Sequence, residues 1–271
     1  MPAQRLHNLD SLAPLLQRPL GVFSDIDGTL APIVSEPEEA RVLPACREAL
    51  ERLRGLGVAV ALVTGRPLTK AHEMVGLPGA MYAANHGLEI EIEGRLEAAD
   101  DLGRYTAQAR ALLRELGTLS DPGVTVEDKG PVITFHYRRA EDQEAAHQEI
   151  LESIDRLAAT REFQVWEGRK VIELRPRIPA DKGTAVRFLA RTLGLHAAIG
   201  LGDDLTDVDM FRSIGELRVS GVPGATFAVR SEEAAPELLA QADYFVDGVP
   251  GVAWFLDALV DAISERATSG L

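Results

Sequence analysis

Two carboxylates stand two residues apart in Asp25-Ile26-Asp27-Gly28-Thr29, directly after the apolar run Gly21-Val22-Phe23-Ser24. If that run is a strand, the pair lies past its carboxyl end, where open α/β sheets take their ligands. Both carboxylates can then reach one hard cation, which prefers oxygen donors. One can also attack phosphorus while its neighbour manages protons. Gly28 suits the sharp turn that takes the chain out of the sheet. A calcium loop or a plain turn carries the same pattern, so this segment by itself leaves all three readings open.

Three more groups repeat the theme. Thr64, in Val63-Thr64-Gly65-Arg66, ends a second apolar run; its hydroxyl can donate to a phosphoryl oxygen or cap a helix. Lys182, in Ala180-Asp181-Lys182-Gly183, opens a helical stretch. Its ammonium can neutralise a nucleophile and a phosphate, or simply be solvated at the surface. Gly200-Leu201-Gly202-Asp203-Asp204-Leu205-Thr206-Asp207 gathers three carboxylates after another apolar run. They repel one another without a cation, which makes Asp203 a candidate metal ligand. Asp207 also suits the acidic first turn of a helix. Each group has a plain alternative, but four such groups in this order form a set suited to phosphoryl transfer.

The elements that must position them follow a clear rhythm. Residues 42–54 carry apolar positions at helical spacing, with Gly55 and Gly57 as breakers. Val58 to Val63 is a continuous apolar run of strand length, as expected of a strand buried on both faces of a parallel sheet. A helix near 69–76 and a strand from Met81 to Ala84 come next. The stretch 104–176 breaks the rhythm: a helix over 104–116, two strands around Lys129-Gly130-Pro131, a helix over about 141–158, and two strands around Glu167-Gly168. From Asp181 the rhythm resumes, with a helix to Leu193, a strand from His196 to Leu201, strands near 217–219 and 244–246, and a closing helix over 252–266. The expected fold is α/β: a Rossmann-like doubly wound parallel core from residues 1–103 and 178–271, with an α+β cap of order αββαββ inserted at 104–177.

Composition narrows the partners. The 271 residues carry a net charge of −14, which repels nucleic acid and anionic membrane surfaces. One cysteine, Cys46, excludes an intramolecular disulfide and reads as a small buried hydrophobe. No apolar run approaches the roughly 20 residues of a membrane span, and the first residues lack a signal-peptide pattern. A cytoplasmic monomer is expected. A small anionic substrate then needs a local cluster of cations, and the insert offers one. Strand alternation puts Glu127 and Lys129 on one face, with Thr134, His136 and Arg138, and with Glu173 and Arg175. Val126, Phe135, Ile172 and Leu174 fall on the other face, which is expected to carry the two helices. Lys129, Arg138, Arg169 and Lys170 give this polar face a positive field, and mixed carboxylates and cations can bind sugar hydroxyls. A solvated sheet face has the same composition.

The four groups, in their order, resemble the haloacid dehalogenase superfamily of phosphatases, and an insert between the second and third is similar to its C2 cap subclass. More narrowly, Val126-Glu127-Asp128-Lys129-Gly130, Thr134-Phe135-His136-Tyr137-Arg138, Gly168-Arg169-Lys170-Val171-Ile172-Glu173-Leu174-Arg175-Pro176, Asn85-His86-Gly87 and Gly202-Asp203-Asp204-Leu205-Thr206-Asp207 resemble trehalose-6-phosphate phosphatases nearly end to end. Val208 departs from the Glu often found there, and Ala84-Asn85 from the more usual Gly-Ser. The resemblance implies hydrolysis of trehalose 6-phosphate, with Asp25 as nucleophile and Asp27 as acid, then base. Thr64 and Lys182 would face the phosphoryl oxygens. Magnesium would be held by Asp25, the Asp27 carbonyl and Asp203, with Asp204 and Asp207 orienting that shell. Glu127, Lys129 and Glu173 would hold the glucose unit remote from phosphate. Arg138 and either Arg169 or Lys170 would orient phosphate or sugar, and Arg66, Asn85 and His86 would complete the substrate site. Other sugar phosphates, of sucrose, mannosylglycerate or glucosylglycerol, remain open. So do phosphomutase chemistry and a non-catalytic sugar-phosphate sensor.

Overall fold

Short runs rich in Val, Ala, Ile and Phe become strands, and the amphipathic stretches between them become helices. In chain order the first part forms β1 (Gln4–Arg5), β2 (Leu20–Ser24), α1 (Pro44–Gly55), β3 (Ala59–Val63), α2 (Leu68–Val75), β4 (Met81–Ala84), β5 (Glu89–Ile92) and β6 (Arg95–Ala98). The middle forms α3 (Leu102–Leu116), β7 (Thr125–Asp128), β8 (Ile133–His136), α4 (Gln143–Asp155), β9 (Phe163–Gly168) and β10 (Val171–Pro176). The last part forms α5 (Lys182–Thr192), β11 (Ala197–Gly202), α6 (Asp207–Val219), β12 (Gly224–Arg230), α7 (Pro236–Gln241), β13 (Tyr244–Asp247) and α8 (Gly248–Ser269). This computed structural model describes residues 3–16, 18–34, 37–98, 102–157, 161–168, 170–231 and 235–269. Two compact units result: Met1–Glu97 with Ala180–Leu271, and Ala98–Pro179.

The first unit is built on a sheet of order β1-β13-β12-β11-β2-β3-β4-β5-β6. Its central pairs, β12–β11, β11–β2, β2–β3 and β3–β4, are all parallel. Both faces are covered, which explains why these strands read as unbroken apolar runs. Leu50 and Leu53 of α1 and Phe255 and Leu259 of α8 share one core with Val22, Val60, Leu62 and Ile199. Val186 and Leu189 of α5 and Met210 and Ile214 of α6 share the other with Phe23, Ala61, Val63 and Ala198. Helices on both faces of a parallel sheet make the fold doubly wound α/β. Among the described residues, no helix is long and apolar enough to cross a membrane.

One local expectation is corrected, and one hairpin lies where none was expected. Leu217 to Val219 belong to α6, and the strand expected there is β12, starting at Gly224. The apolar positions Met210, Phe211 and Ile214 continue at helical spacing to Leu217, and the chain turns only at Gly221, whose φ is +90°. The hairpin β5–β6 was not anticipated. Its Glu-Ile-Glu-Ile alternation is weak evidence for a strand, but Glu93 and Gly94 have φ of +52° and +75°, the left-handed pair that a tight hairpin turn requires.

The second unit is an antiparallel sheet of order β7-β8-β10-β9. On one face Tyr105, Ala109 and Leu112 of α3 and Ile150 and Ile154 of α4 pack on Ile133, Phe135, Ile172 and Leu174.

Candidate active site

The chain leaves β2 for β3 and β4 on one side, and later returns to lay β11 on the other. The boundary between β2 and β11 is therefore the topological switch point, where the carboxyl ends of neighbouring strands open a crevice. Asp25 follows β2, Asp203 follows β11, Thr64 follows β3, and Asn85 follows β4. Four adjacent strand ends thus carry four of the residues singled out from sequence. Asp25 is tied into the sheet, its N–H donating to the Leu201 carbonyl at 3.0 Å.

Lys182 comes from the other side, at the first turn of α5. Asp181 fixes that start with a capping box: its side chain accepts from Thr184 N–H at 2.6 Å, and the Thr184 hydroxyl accepts from Asp181 N–H. The Lys182 ammonium donates to Asp25 Oδ1 at 2.8 Å and to Asp207 Oδ1 at 2.7 Å. All three side chains are buried. Desolvation disfavours the ammonium, but the two carboxylates outweigh it and hold the Lys182 pKa well above its ordinary value. The solvated-lysine alternative is not realised. The second oxygen of Asp207 accepts the N–H groups of Asp203 and Asp204 at 3.0 and 3.1 Å, so this carboxylate fixes both the lysine and the acidic loop. Asp204 is turned away, accepting the N–H and hydroxyl of Thr206 at 2.8 and 2.6 Å.

Asp25, Asp203 and Asp207 each offer an oxygen within 4.8 Å of the others. Burial, with the negative charge of its neighbours, pushes the carboxyls of Asp25 and Asp203 well above the usual carboxylate range, and Lys182 only partly opposes this. A hard divalent cation resolves that repulsion, and an all-oxygen donor set suits magnesium. Asp207 already accepts from Lys182 and from the Asp203 and Asp204 N–H groups, so Asp25 and Asp203 are the better placed of the three to hold it. Thr29, missed in the sequence, donates its hydroxyl to Asp203 Oδ1 at 3.2 Å. Gly28 lets Asp203 approach: its φ is +79°, and a Cβ there would lie 2.0 Å from Asp203 Oδ2.

The opposite rim is a compact loop junction. Thr64 is buried and does not cap α2. Its Oγ1 accepts the Arg66 N–H at 3.1 Å, and among the described residues no bond made by its own hydroxyl proton is seen. Arg66 grips Asp27 with two bonds of 2.6 Å, a bidentate pair that neither segment's residues foretell. Asn85 N–H donates to the Arg66 carbonyl and His86 N–H to the Thr64 carbonyl, each at 2.9 Å. Asn85 and His86 both have positive φ, +47° and +57°, a conformation that Asn tolerates better than most residues. The Asn85 amide also donates to Glu89 Oε2 at 2.5 Å. The His86 ring lies so close to Gly65 that a Cβ at that glycine would come within 2.5 Å of it.

In the second unit the polar face of the sheet is a connected network. Glu127, Thr134, Glu173 and Trp166 are register partners across all four strands. Glu173 is buried. Its Oε1 accepts from Lys129 at 3.0 Å and from Thr134 at 3.0 Å, and its Oε2 accepts from Arg175 at 2.6 and 2.8 Å. Glu127 accepts from His136 at 3.0 Å and lies 4.0 Å from Lys129. Burial raises the Glu127 carboxyl, but His136 and Lys129 together pull it below its ordinary value. Arg138 is exposed beyond β8, and Lys170 is exposed with φ of +60°. Arg169 lies outside the described residues. Sequence reading passed over Trp166, although the alternation of residues 163–168 puts it on the face of Glu173.

Residues 23–248 match the family model described as trehalose-phosphatase. The trehalose-phosphate phosphatase of Mycobacterium avium is 37% identical over 212 residues, which cover 74% of this chain and 53% of that protein. That of Mycobacterium tuberculosis is 34% identical over 267 residues, covering 94% of this chain and 65% of that protein. The chain therefore spans about half to two thirds of the length of these relatives. Among solved structures, the C-terminal domain of the trehalose-6-phosphate phosphatase of Candida albicans superposes with a TM-score of 0.74 at 22% identity, over 96% of this chain and 99% of that one. A haloacid dehalogenase-like hydrolase from Bacteroides thetaiotaomicron gives a TM-score of 0.59 at 17% identity, over 88% and 98%. At these identities the likeness is one of fold, the haloacid dehalogenase-like α/β core.

Proposed function

We propose a function for a chain that belongs to the trehalose-phosphatase family: it hydrolyses trehalose 6-phosphate to trehalose and phosphate, the closing step of trehalose biosynthesis, through an aspartyl-phosphate on Asp25. The observation that carries this reading is the buried Asp25 carboxylate, held at 2.8 Å by the Lys182 ammonium at the switch point of the sheet.

Asp25 attacks phosphorus, and the bond from phosphorus to the sugar oxygen breaks. Asp27 gives that oxygen its proton. Asp27 then takes a proton from water, which attacks the aspartyl-phosphate, releases phosphate and restores the Asp25 carboxylate. The Arg66 pair parks Asp27 between these steps and must loosen for Asp27 to carry a proton. Lys182 and the Thr64 hydroxyl neutralise phosphoryl oxygens, and a preorganised clamp of this kind supplies most of the barrier lowering in phosphoryl transfer. Asp25, the Asp27 carbonyl and Asp203 would hold magnesium, which would supply further charge neutralisation at the phosphoryl group. Thr29 and Asp207 keep Asp203 oriented for that role.

The unit Ala98–Pro179 acts as the sugar reader. Glu127, Lys129 and Glu173 hold hydroxyls of the glucose unit remote from phosphate, and Arg138 with Lys170 or Arg169 steers the anion. Binding energy far from phosphorus then sets specificity. A phosphate-release screen tests the reading. With magnesium present, trehalose 6-phosphate should be turned over well ahead of glucose 6-phosphate and sucrose 6-phosphate. Equal turnover of all three, or none of trehalose 6-phosphate, rejects it.

A further inference from the structure

Trp166 stands fourth in the row Glu127–Thr134–Glu173–Trp166, on the outermost strand of the second unit. It is one of two tryptophans in the chain and is 41% exposed on the polar face. Its row partners are Glu127, Thr134 and Glu173, and it is not part of the apolar cluster of this unit, so core packing does not account for it. Its neighbour across the strand pair is Glu173, one interstrand spacing of about 4.8 Å away. The Arg175 guanidinium lies 4.7 Å from the indole centroid and also forks onto Glu173. One face of the ring is thus covered by a cation, while much of the residue stays open.

This juxtaposition has a specific chemistry. A pyranose presents axial C–H bonds on a face and hydroxyls at its edge. An aromatic plane accepts the first, and a carboxylate braced by Lys129, Thr134 and Arg175 accepts the second. We propose that Trp166 is the stacking platform for a pyranose ring of the substrate and sets the preference for a disaccharide phosphate over smaller phosphate esters. The row spans three interstrand spacings, about 14 Å, which leaves room for a second ring between Trp166 and Glu127. Arg175 lies over one face of the indole and also bonds Glu173, so stacking on the other face and hydroxyl recognition act on the same ring. The inference rests on the proposed sugar-phosphate hydrolysis, whose failure is visible in the wild-type enzyme before any variant is made.

The test uses the full chain with magnesium. Trp254→Phe, in α8 and remote in sequence from the sugar face, leaves Trp166 as the single indole. Titrating that protein with trehalose, which carries no phosphate, should give a saturable change in indole emission, and inorganic phosphate should not reproduce it. Trp166→Ala should raise KM for trehalose 6-phosphate about tenfold with kcat within about twofold, the scale of one aromatic contact. Trp166→Phe should recover most of the loss. An unchanged KM in Trp166→Ala overturns the proposal. So does a raised KM with no emission response to trehalose, because Trp166 would then act only by packing Arg175 against Glu173.

Discussion

The Lys182 ammonium meets Asp25 Oδ1 at 2.8 Å, joining residues 157 positions apart in the chain. In sequence the whole second unit lies between them. The first unit thus builds this buried contact from segments on either side of the insert.

The same pair predicts the effect of losing the lysine. Lys182→Met leaves Asp25 and Asp207 buried without their cation, and breaking a buried ion pair from one side costs about 3–5 kcal/mol. For a chain of this size that is a fall in Tm of roughly 6–15 °C. Phosphate release should fall with it by at least about a hundredfold. A thermal melt within 2 °C of wild type, at unchanged turnover, would show that the contact is incidental.

Gly28 makes a separate prediction about magnesium. Gly28→Ala adds a Cβ 2.0 Å from Asp203 Oδ2 at a φ of +79°, so the carboxylate must move. Magnesium should bind roughly 10–100-fold more weakly, the usual cost of disturbing a ligand's support. Titrating magnesium in a thermal-shift assay measures this, and an unchanged midpoint would remove Asp203 from the metal site.

Cys46 supplies the pH dependence. Burial pushes its thiol up to about 12, against an ordinary value near 8.5. Below about pH 8.5 both folded and unfolded chains carry the thiol, and the group makes no difference. Above that, the unfolded chain ionises while the folded one does not, so this group's contribution to stability declines as pH rises toward 12. Native protein near pH 8 should label with a thiol reagent only on the timescale of unfolding, and labelling should become fast in urea. Fast labelling of folded protein would contradict the burial.

Glu127→Ala tests the sugar reader. Glu127 is half-exposed and bonded to His136, so its loss should leave the fold intact. The turnover of trehalose 6-phosphate relative to a small phosphate ester should fall about 10–100-fold. An unchanged ratio removes Glu127 from substrate recognition.

The carboxyl-end positions of Asp25, Thr64 and Asp203 were legible because buried parallel strands leave unbroken apolar runs, and the next residue is then the strand end. The two faces of the insert were legible from alternation alone, since Ile133, Phe135 and Leu174 had to oppose Thr134 and Glu173. What was not legible depends on contacts distant in sequence. The Arg66–Asp27 fork joins two loops, and nothing in either segment specifies the partner. The strand misread at 217–219 failed for a local reason: Leu-Arg-Val suits a strand until the helical spacing from Met210 is followed through it. Trp166 was legible in principle, since alternation from the core residue Phe163 puts it on the polar face, and the register with Glu173 then gives it a neighbour.

The central claim is that Asp25 takes the phosphoryl group. Its most direct test is phosphate release from trehalose 6-phosphate by Asp25→Asn, with a thermal melt to show that the variant is folded. The carboxamide keeps the shape of the side chain but cannot form the acyl-phosphate, so turnover should fall by at least about 10⁴-fold. Turnover at the wild-type level in a folded Asp25→Asn protein would contradict the account.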